Sequence, residues 1–274
     1  ENPDALGLGG RERTITSMFT DVQGFSSISE ALTAPKLVEL LNQYLTVMSD
    51  QVLEERGTID KYEGDAIIAF FGAPNELEDH AVRACRAALR MSQREEELNQ
   101  FLTDNGLTPF PLYTRIGINT GDAVVGNMGT TTRMDYTAMG HTINLASRLE
   151  GVNKQYGTKL LVSEMTYQAT GREFAVRRLD RVRVVGVAEP IRIYELIGPR
   201  EDIDEDIIWK LRTFNHGLNA FENRQWKAAT EAFDEVLARF PDDGPGKFYA
   251  ERARSYMKKS PTADWDGVYN LTKK

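Results

Sequence analysis

Residues 57–72, GTIDKYEGDAIIAFFG, hold two β-favouring runs, TIDKY and AIIAFF, joined through Glu63-Gly64-Asp65. Glycine relieves the steric cost of a tight turn, so the stretch predicts a β-hairpin. Around it the pattern changes period. On the N-terminal side, Leu37, Leu41, Tyr44, Met48 and Val52 recur at helical spacing within residues 33–57, and Gly57 closes the run. Before that helix, RTITSMFTD (13–21) reads as a strand. On the C-terminal side a second amphipathic helix is expected from Glu78 to Phe101. A second hairpin is expected in PLYTRIGINTGDAVVGNMG (111–129), turning at Gly121-Asp122. Residues 141–157 read as a third helix, and KLLVS (159–163), FAVRRLDRVRVVG (174–186) and IRIYELIG (191–198) as strands. Hairpins set between crossovers make a mostly antiparallel sheet covered by helices, an α+β sandwich and not a doubly wound parallel sheet.

Composition changes after Gly198. All three tryptophans, Trp209, Trp226 and Trp265, lie beyond it, and PREDIDED (199–206) is acidic and linker-like. Residues 217–259 resemble a tetratricopeptide-type helical hairpin, with small and aromatic residues at helix-packing positions. One repeat and part of another are too few for an independent solenoid, so packing against the main domain or a second subunit is expected. The resulting division is a linker at 1–12, a main domain at 13–198 and a helical extension at 199–274.

With 274 residues, 27% charged, the chain can bury a full core, and its net charge of −8 argues against gripping nucleic acid through an overall field. Cys85 alone forms no intramolecular disulfide and fits a reducing compartment. His80, His141 and His216 have no zinc-ligand spacing. No apolar run reaches the roughly 18 residues that span a bilayer, and no signal-peptide pattern is present. The expected setting is cytoplasmic, as a free domain or as the cytosolic part of a longer, membrane-tethered protein, since the chain starts at Glu1 without a methionine.

The chemistry concentrates at strand ends. In SMFTDVQGFSS (17–27), Asp21 stands between an apolar run and a small-residue bend; Asp65 stands in the 57–72 hairpin. Either alone is ordinary turn chemistry. If the two strands are neighbours, both carboxylates reach shared cations, and two hard oxygen ligands without histidine suit Mg²⁺ or Mn²⁺. The backbone amides from Gln23 to Ser27 lead into a helix, an arrangement suited to phosphates. Asn144 and Arg148, four helical positions apart, project from one face about 6 Å apart along the axis. Their neighbours Ile143, Leu145, Ala146 and Leu149 leave little room for a wholly solvated helix.

FTDVQGFS (19–26), KYEGDAIIAFFG (61–72), RIGINTGDAVVGNMG (115–129) and YTAMGHTINLASRLE (136–150), in this order and at these separations, resemble the catalytic domain of the class III adenylyl and guanylyl cyclases. The likeness runs from about Arg13 to Gly198. It implies a ferredoxin-like βαββαβ sandwich that converts ATP to cyclic AMP and pyrophosphate. By the resemblance, Asp21, Asp65 and the Val22 carbonyl bind two divalent cations per site, Mg²⁺ or Mn²⁺, and Gly24, Phe25, Ser26 and Arg115 meet the phosphates. Lys61 and Thr137 fall on the base-selecting positions of the bacterial adenylyl branch, where guanylyl cyclases tend to carry Glu and Cys. The chemistry agrees: a lysine donates to N1 of adenine and a threonine hydroxyl accepts from its 6-amino group, whereas guanine reverses both. Asn144 and Arg148 match the pair that positions the ribose and stabilises α-phosphate charge. The family works as a head-to-tail dimer with shared sites, so a homodimer is implied.

One family feature is missing: the triphosphate-binding lysine before the glycine of RVRVVG (181–186) is Val185 in this chain. Arg183, two residues earlier and on the same face of an extended strand, is the substitute suggested by parity. The departure keeps open an alternative, a catalytically weak nucleotide-binding regulatory module of the same fold. The diguanylate cyclases are a poorer match, because YEGDA is not their signature turn.

Overall fold

The structure, a computed structural model, describes residues 8–130, 132–183 and 189–270. Val185 lies outside the described residues.

Four strands make the central layer. β1 (Gly9–Val22) leads through the short helix α1 (Phe25–Ala31) and α2 (Ala34–Glu54) into the hairpin β2 (Thr58–Glu63) and β3 (Ala66–Phe71). Helix α3 (His80–Asp104) then returns the chain to β4 (Thr114–Thr130). The order β2-β3-β1-β4, antiparallel throughout, is the split βαβ arrangement that the hairpin predicts. Strand alternation sorts the core. Ile67, Ala69 and Phe71 of β3, with Ile116 and Ile118 of β4, face α2 and α3, where Tyr44, Met48, Ala84 and Met91 are buried. Phe70, Ile15 and Val125 face the other way into a smaller cluster closed by Ala138 of β5 (Arg133–Met139).

The expected turn at Gly121-Asp122 is not formed. Both residues lie inside β4, paired with Ile15 and Thr14 of β1, and Thr14 Oγ1 donates to Asp122 Oδ1 at 2.5 Å. The chain reverses only between β4 and β5, which pair from Thr130↔Arg133 to Val124↔Met139. Gly121 serves close approach instead: a Cβ there would stand 2.8 Å from Thr142 Oγ1. Gly117 is tighter still, since its Cβ would meet the Glu150 nitrogen at 2.2 Å and the Ala146 oxygen at 2.4 Å. The glycines of RIGINTG therefore let helix α4 (His141–Tyr156) lie directly on β4.

Beyond β4 the sheet continues as β6 (Leu160–Ser163), β8 (Ile191–Pro199), β7 (Phe174–Arg183) and the two-residue β9 (Tyr269–Asn270), with helix α5 (Glu164–Ala169) after β6. Three helices, α6 (Glu205–Glu222), α7 (Trp226–Arg239) and α8 (Gly244–Lys258), cover this end. Phe214, Phe221, Phe233 and Tyr249 share one core with Leu149 and Tyr156 of α4 and Leu179 of β7. Arg177 of β7 is buried and donates to both Asp243 oxygens at 2.7 and 2.8 Å, and its Nε donates to Glu195 at 2.7 Å. Asp180 accepts from Tyr156 at 2.8 Å and from Arg252 at 3.2 Å. Gly157 and Gly244 abut, so α8 begins against the end of α4. The three C-terminal helices thus pack against α4 and β7. No helix among the described residues is long and apolar enough to cross a membrane.

Candidate active site

β1 and β3 are neighbours, and the β2–β3 turn brings Asp65 to the end of β1. Gly24 and Gly64 hold left-handed backbone, φ +71° and +66°, at the two bends that flank the carboxylates. Asp65 Oδ2 accepts from the Val22 N–H at 2.8 Å, so the turn is clamped to the residue after Asp21. Burial raises the Asp65 pKa above the ordinary carboxylate value and the charge of Asp21 adds to it, against the Val22 N–H and Arg115. A second carboxylate charge acting on Asp65 favours a cation at this end of the sheet.

Arg115, the Cα partner of Asp21 across the β1–β4 ladder, pairs with Asp21 on one side and with Glu150 Oε1 at 2.9 Å on the other. Glu150 reaches it because α4 sits on Gly117, two residues from Arg115. Burial pushes the Glu150 pKa up to about 7, opposed by Arg115. Past β1, the Gly24 carbonyl accepts from the Ser27 N–H at 3.0 Å, and Phe25 packs on the main core. The amides of Phe25 and Ser26, first in α1, have no acceptor within the helix by its geometry.

A second cluster lies on β2 and β5. Thr137 Oγ1 donates to Asp60 Oδ2 at 3.0 Å, and Lys61 Nζ lies 3.7 Å from the same oxygen. Lys61 and Thr137, 76 positions apart in sequence, thus meet on one carboxylate. On α4, Asn144 is exposed and Arg148 half-buried, with its Nη1 enclosed and lacking a hydrogen-bond partner among the described residues. No hydrogen bond or ion pair joins this second group to Asp21 and Asp65 among the described residues. Arg183 is remote from both in the sheet: three strands separate β7 from β1, and its Nη2 lies 3.3 Å from Asp266.

Sequence reasoning missed Glu150 and Asp60. Glu150 carries a readable signal only once α4 is known to cross β4. Asp60 is hidden by an irregularity of β2 that breaks the alternation of its side chains.

Residues 10–198 match the family model described as the adenylate and guanylate cyclase catalytic domain, and the chain belongs to that family. It is 40% identical over 194 residues to adenylate cyclase 1 of Rhizobium meliloti, covering 70% of this chain and 29% of that protein. It is 33% identical over 251 residues to the terminal-differentiation specific adenylate cyclase of Dictyostelium discoideum, covering 90% of this chain and 12% of that one. The chain therefore spans less than a third of either relative. Among solved structures it resembles the adenylyl cyclase CyaB from P. aeruginosa, with TM-score 0.66 and 38% identity over 72% of this chain and all of that one. The guanylyl cyclase Cya2 is equally similar, with TM-score 0.66 and 37% identity over 72% of this chain and 98% of that one.

Domains of this family use divalent metal ions. Among the described residues no three His, Cys, Asp or Glu side chains form a metal cage. The paired carboxylates of Asp21 and Asp65 instead fit an open oxygen site, of the kind that Mg²⁺ or Mn²⁺ completes with water and phosphate oxygens.

Proposed function

We propose that the chain is an adenylate cyclase that converts ATP to 3′,5′-cyclic AMP and pyrophosphate at sites shared between two head-to-tail copies. The observation that carries this reading is the convergence of Lys61 and Thr137 on Asp60, which gathers a fixed donor and a hydroxyl for an adenine edge. Similarity alone does not choose the base, because an adenylyl and a guanylyl cyclase structure match equally well.

In this reading residues 13–198 form the catalytic domain, preceded by a linker and followed by a tetratricopeptide-like extension. Asp21, Asp65 and the Val22 carbonyl hold two divalent cations, Mg²⁺ or Mn²⁺. When bound, these supply activation of the 3′-hydroxyl and charge neutralisation of the triphosphate. Asp21 and Asp65 fix that charge at the end of β1. Arg115 and the amides of Gly24, Phe25 and Ser26 face the polyphosphate. From the partner copy, Lys61 donates to N1 of the base, Thr137 accepts from its 6-amino group, and Asn144 orients the ribose. Arg148 meets the charge that grows on the α-phosphoryl oxygens, and its unpaired Nη1 is available for that task. Attack within one bound molecule makes the orientation of ATP a large part of the catalysis. Val124, Met134 and Met139 on β4 and β5, with Tyr62 on β2, expose large apolar surface around the base-reading pair and suit burial against a second copy.

Arg183 is paired with Asp266 at 3.3 Å, so its proposed contact with the triphosphate has to displace or share that ion pair. The Val185 departure favours a second reading, a module that binds nucleotide with little turnover. Product analysis separates the two: purified chain with ATP and Mn²⁺ or Mg²⁺ forms cyclic AMP in the first reading, and only binds nucleotide in the second. Converting Lys61→Glu with Thr137→Cys is expected to move preference towards GTP by about tenfold or more. An unchanged ratio of kcat/KM for ATP and GTP would refute the base-reading assignment.

A further inference from the structure

β2 is not a regular strand. Ile59 pairs with Ala69 while Lys61 pairs with Ile68, so Asp60 is an extra residue in a β-bulge. In a regular strand, neighbours point to opposite faces. The bulge overrides that alternation and lets Asp60 and Lys61 serve the same place. The Asp60 side chain is only 5% exposed, against 48% for Lys61. Its Oδ2 takes the Thr137 hydrogen bond and the Lys61 ion pair. Its Oδ1 is buried and has no hydrogen-bond partner among the described residues. A buried carboxylate oxygen left unpaired is costly, so stability alone does not explain this side chain. Burial raises the Asp60 pKa; the Thr137 hydroxyl and Lys61 oppose the shift.

The consequence lies in hydrogen-bond polarity. A threonine hydroxyl has one proton and two lone pairs, so alone it reads a donor or an acceptor equally well. An ionised carboxylate only accepts. Once Asp60 accepts the Thr137 hydrogen bond, the hydroxyl presents lone pairs alone to a base, while Lys61 presents protons alone. Acceptor beside donor complements the 6-amino group and N1 of adenine and opposes O6 and N1–H of guanine. We propose that Asp60 is the specificity-determining positioning residue of the site: it fixes the Thr137 hydroxyl as an acceptor, holds Lys61 beside it, and so selects adenine over guanine. This rests on the reading that Lys61 and Thr137 face the base.

The test is steady-state kcat/KM of the full chain for ATP and for GTP. Asp60→Asn keeps the shape, but its amide can donate to Thr137 Oγ1 and free the hydroxyl proton for guanine O6. The ATP-to-GTP ratio is expected to fall about tenfold or more, whereas a merely structural role would lower both nucleotides alike and leave the ratio unmoved. Rescue separates the mechanism further. In Asp60→Asn with Thr137→Asp, position 137 can only accept, so ATP preference returns; Thr137→Asp alone faces Asp60 with a like charge and does worse than the double variant. Because the asparagine oxygen can itself take the Thr137 hydrogen bond, Asp60→Leu, which offers no acceptor, is measured beside Asp60→Asn, and an unchanged ratio in both active variants overturns the proposal. If Asp60→Asn is inactive on both nucleotides, recovery of ATP preference in the double variant supports the proposal and its failure overturns it. A wild-type chain that makes no cyclic AMP, or prefers GTP, sinks the parent reading before any variant is compared.

Discussion

Asp65→Asn is expected to lower ATP cyclisation by about a thousandfold or more and to leave the fold nearly intact. The asparagine oxygen can still accept from the Val22 N–H, so the clamp between the β2–β3 turn and the end of β1 survives. Only the charge is lost. Stabilisation by bound cations is worth several kcal/mol, and each 1.36 kcal/mol is about tenfold in rate, so three decades follow from weakening that one ligand. Cyclic AMP formation at saturating ATP and Mn²⁺, beside a thermal melt, separates chemistry from stability. A folded variant that keeps more than about a tenth of the wild-type rate would remove Asp65 from the cation site.

Arg148→Ala should act differently, on kcat more than on KM. The group is proposed to meet charge that grows only in the transition state, and removing such a group typically costs about 3 kcal/mol or more, roughly a hundredfold or greater loss of kcat. Arg148 Nη1 has no hydrogen-bond partner among the described residues, and alanine favours a helix, so α4 should tolerate the change. Arg148→Lys should recover little, because an ammonium lacks the planar fork. A variant with raised KM and unchanged kcat would make Arg148 a ground-state binding residue and contradict a role in the transition state.

The meeting of Asp21 and Asp65 at adjacent strand ends was legible in the sequence, for a physical reason. Asp21 and Asp65 each stand at a strand end beside a glycine bend, and strand neighbours bring such ends together. The fold was legible through the same logic, since a hairpin between helices leaves few ways to complete a sheet. Failures came where one residue type serves two purposes. Gly121 has the sequence signature of a turn, but the folded chain uses it to admit α4, and only the packing of Thr142 distinguishes the two. Asp60 was invisible because strict alternation puts it on the face opposite Lys61, and the bulge that reunites them has no sequence marker. Glu150 lies two residues past Arg148, off the helix face that Asn144 and Arg148 share. Arg177 and Asp180 read as charges on an ordinary strand; they are buried partners of Asp243 and Arg252, which fasten α8 to β7, and Asp180 also holds Tyr156 of α4. Such long-range ion pairs become readable only after the helices are placed.

The most direct test of the central claim, that each site is divided between two copies, mixes Asp65→Asn with Arg148→Ala. Each variant alone lacks one half of every site. A mixed dimer contains one site with both halves intact, and at equal amounts with free exchange about half of all dimers are mixed. Cyclic AMP synthesis should therefore return to roughly a quarter of the wild-type rate, because half of the dimers each carry one intact site of two. No recovery, with subunit exchange demonstrated by differently tagged chains, would contradict shared sites.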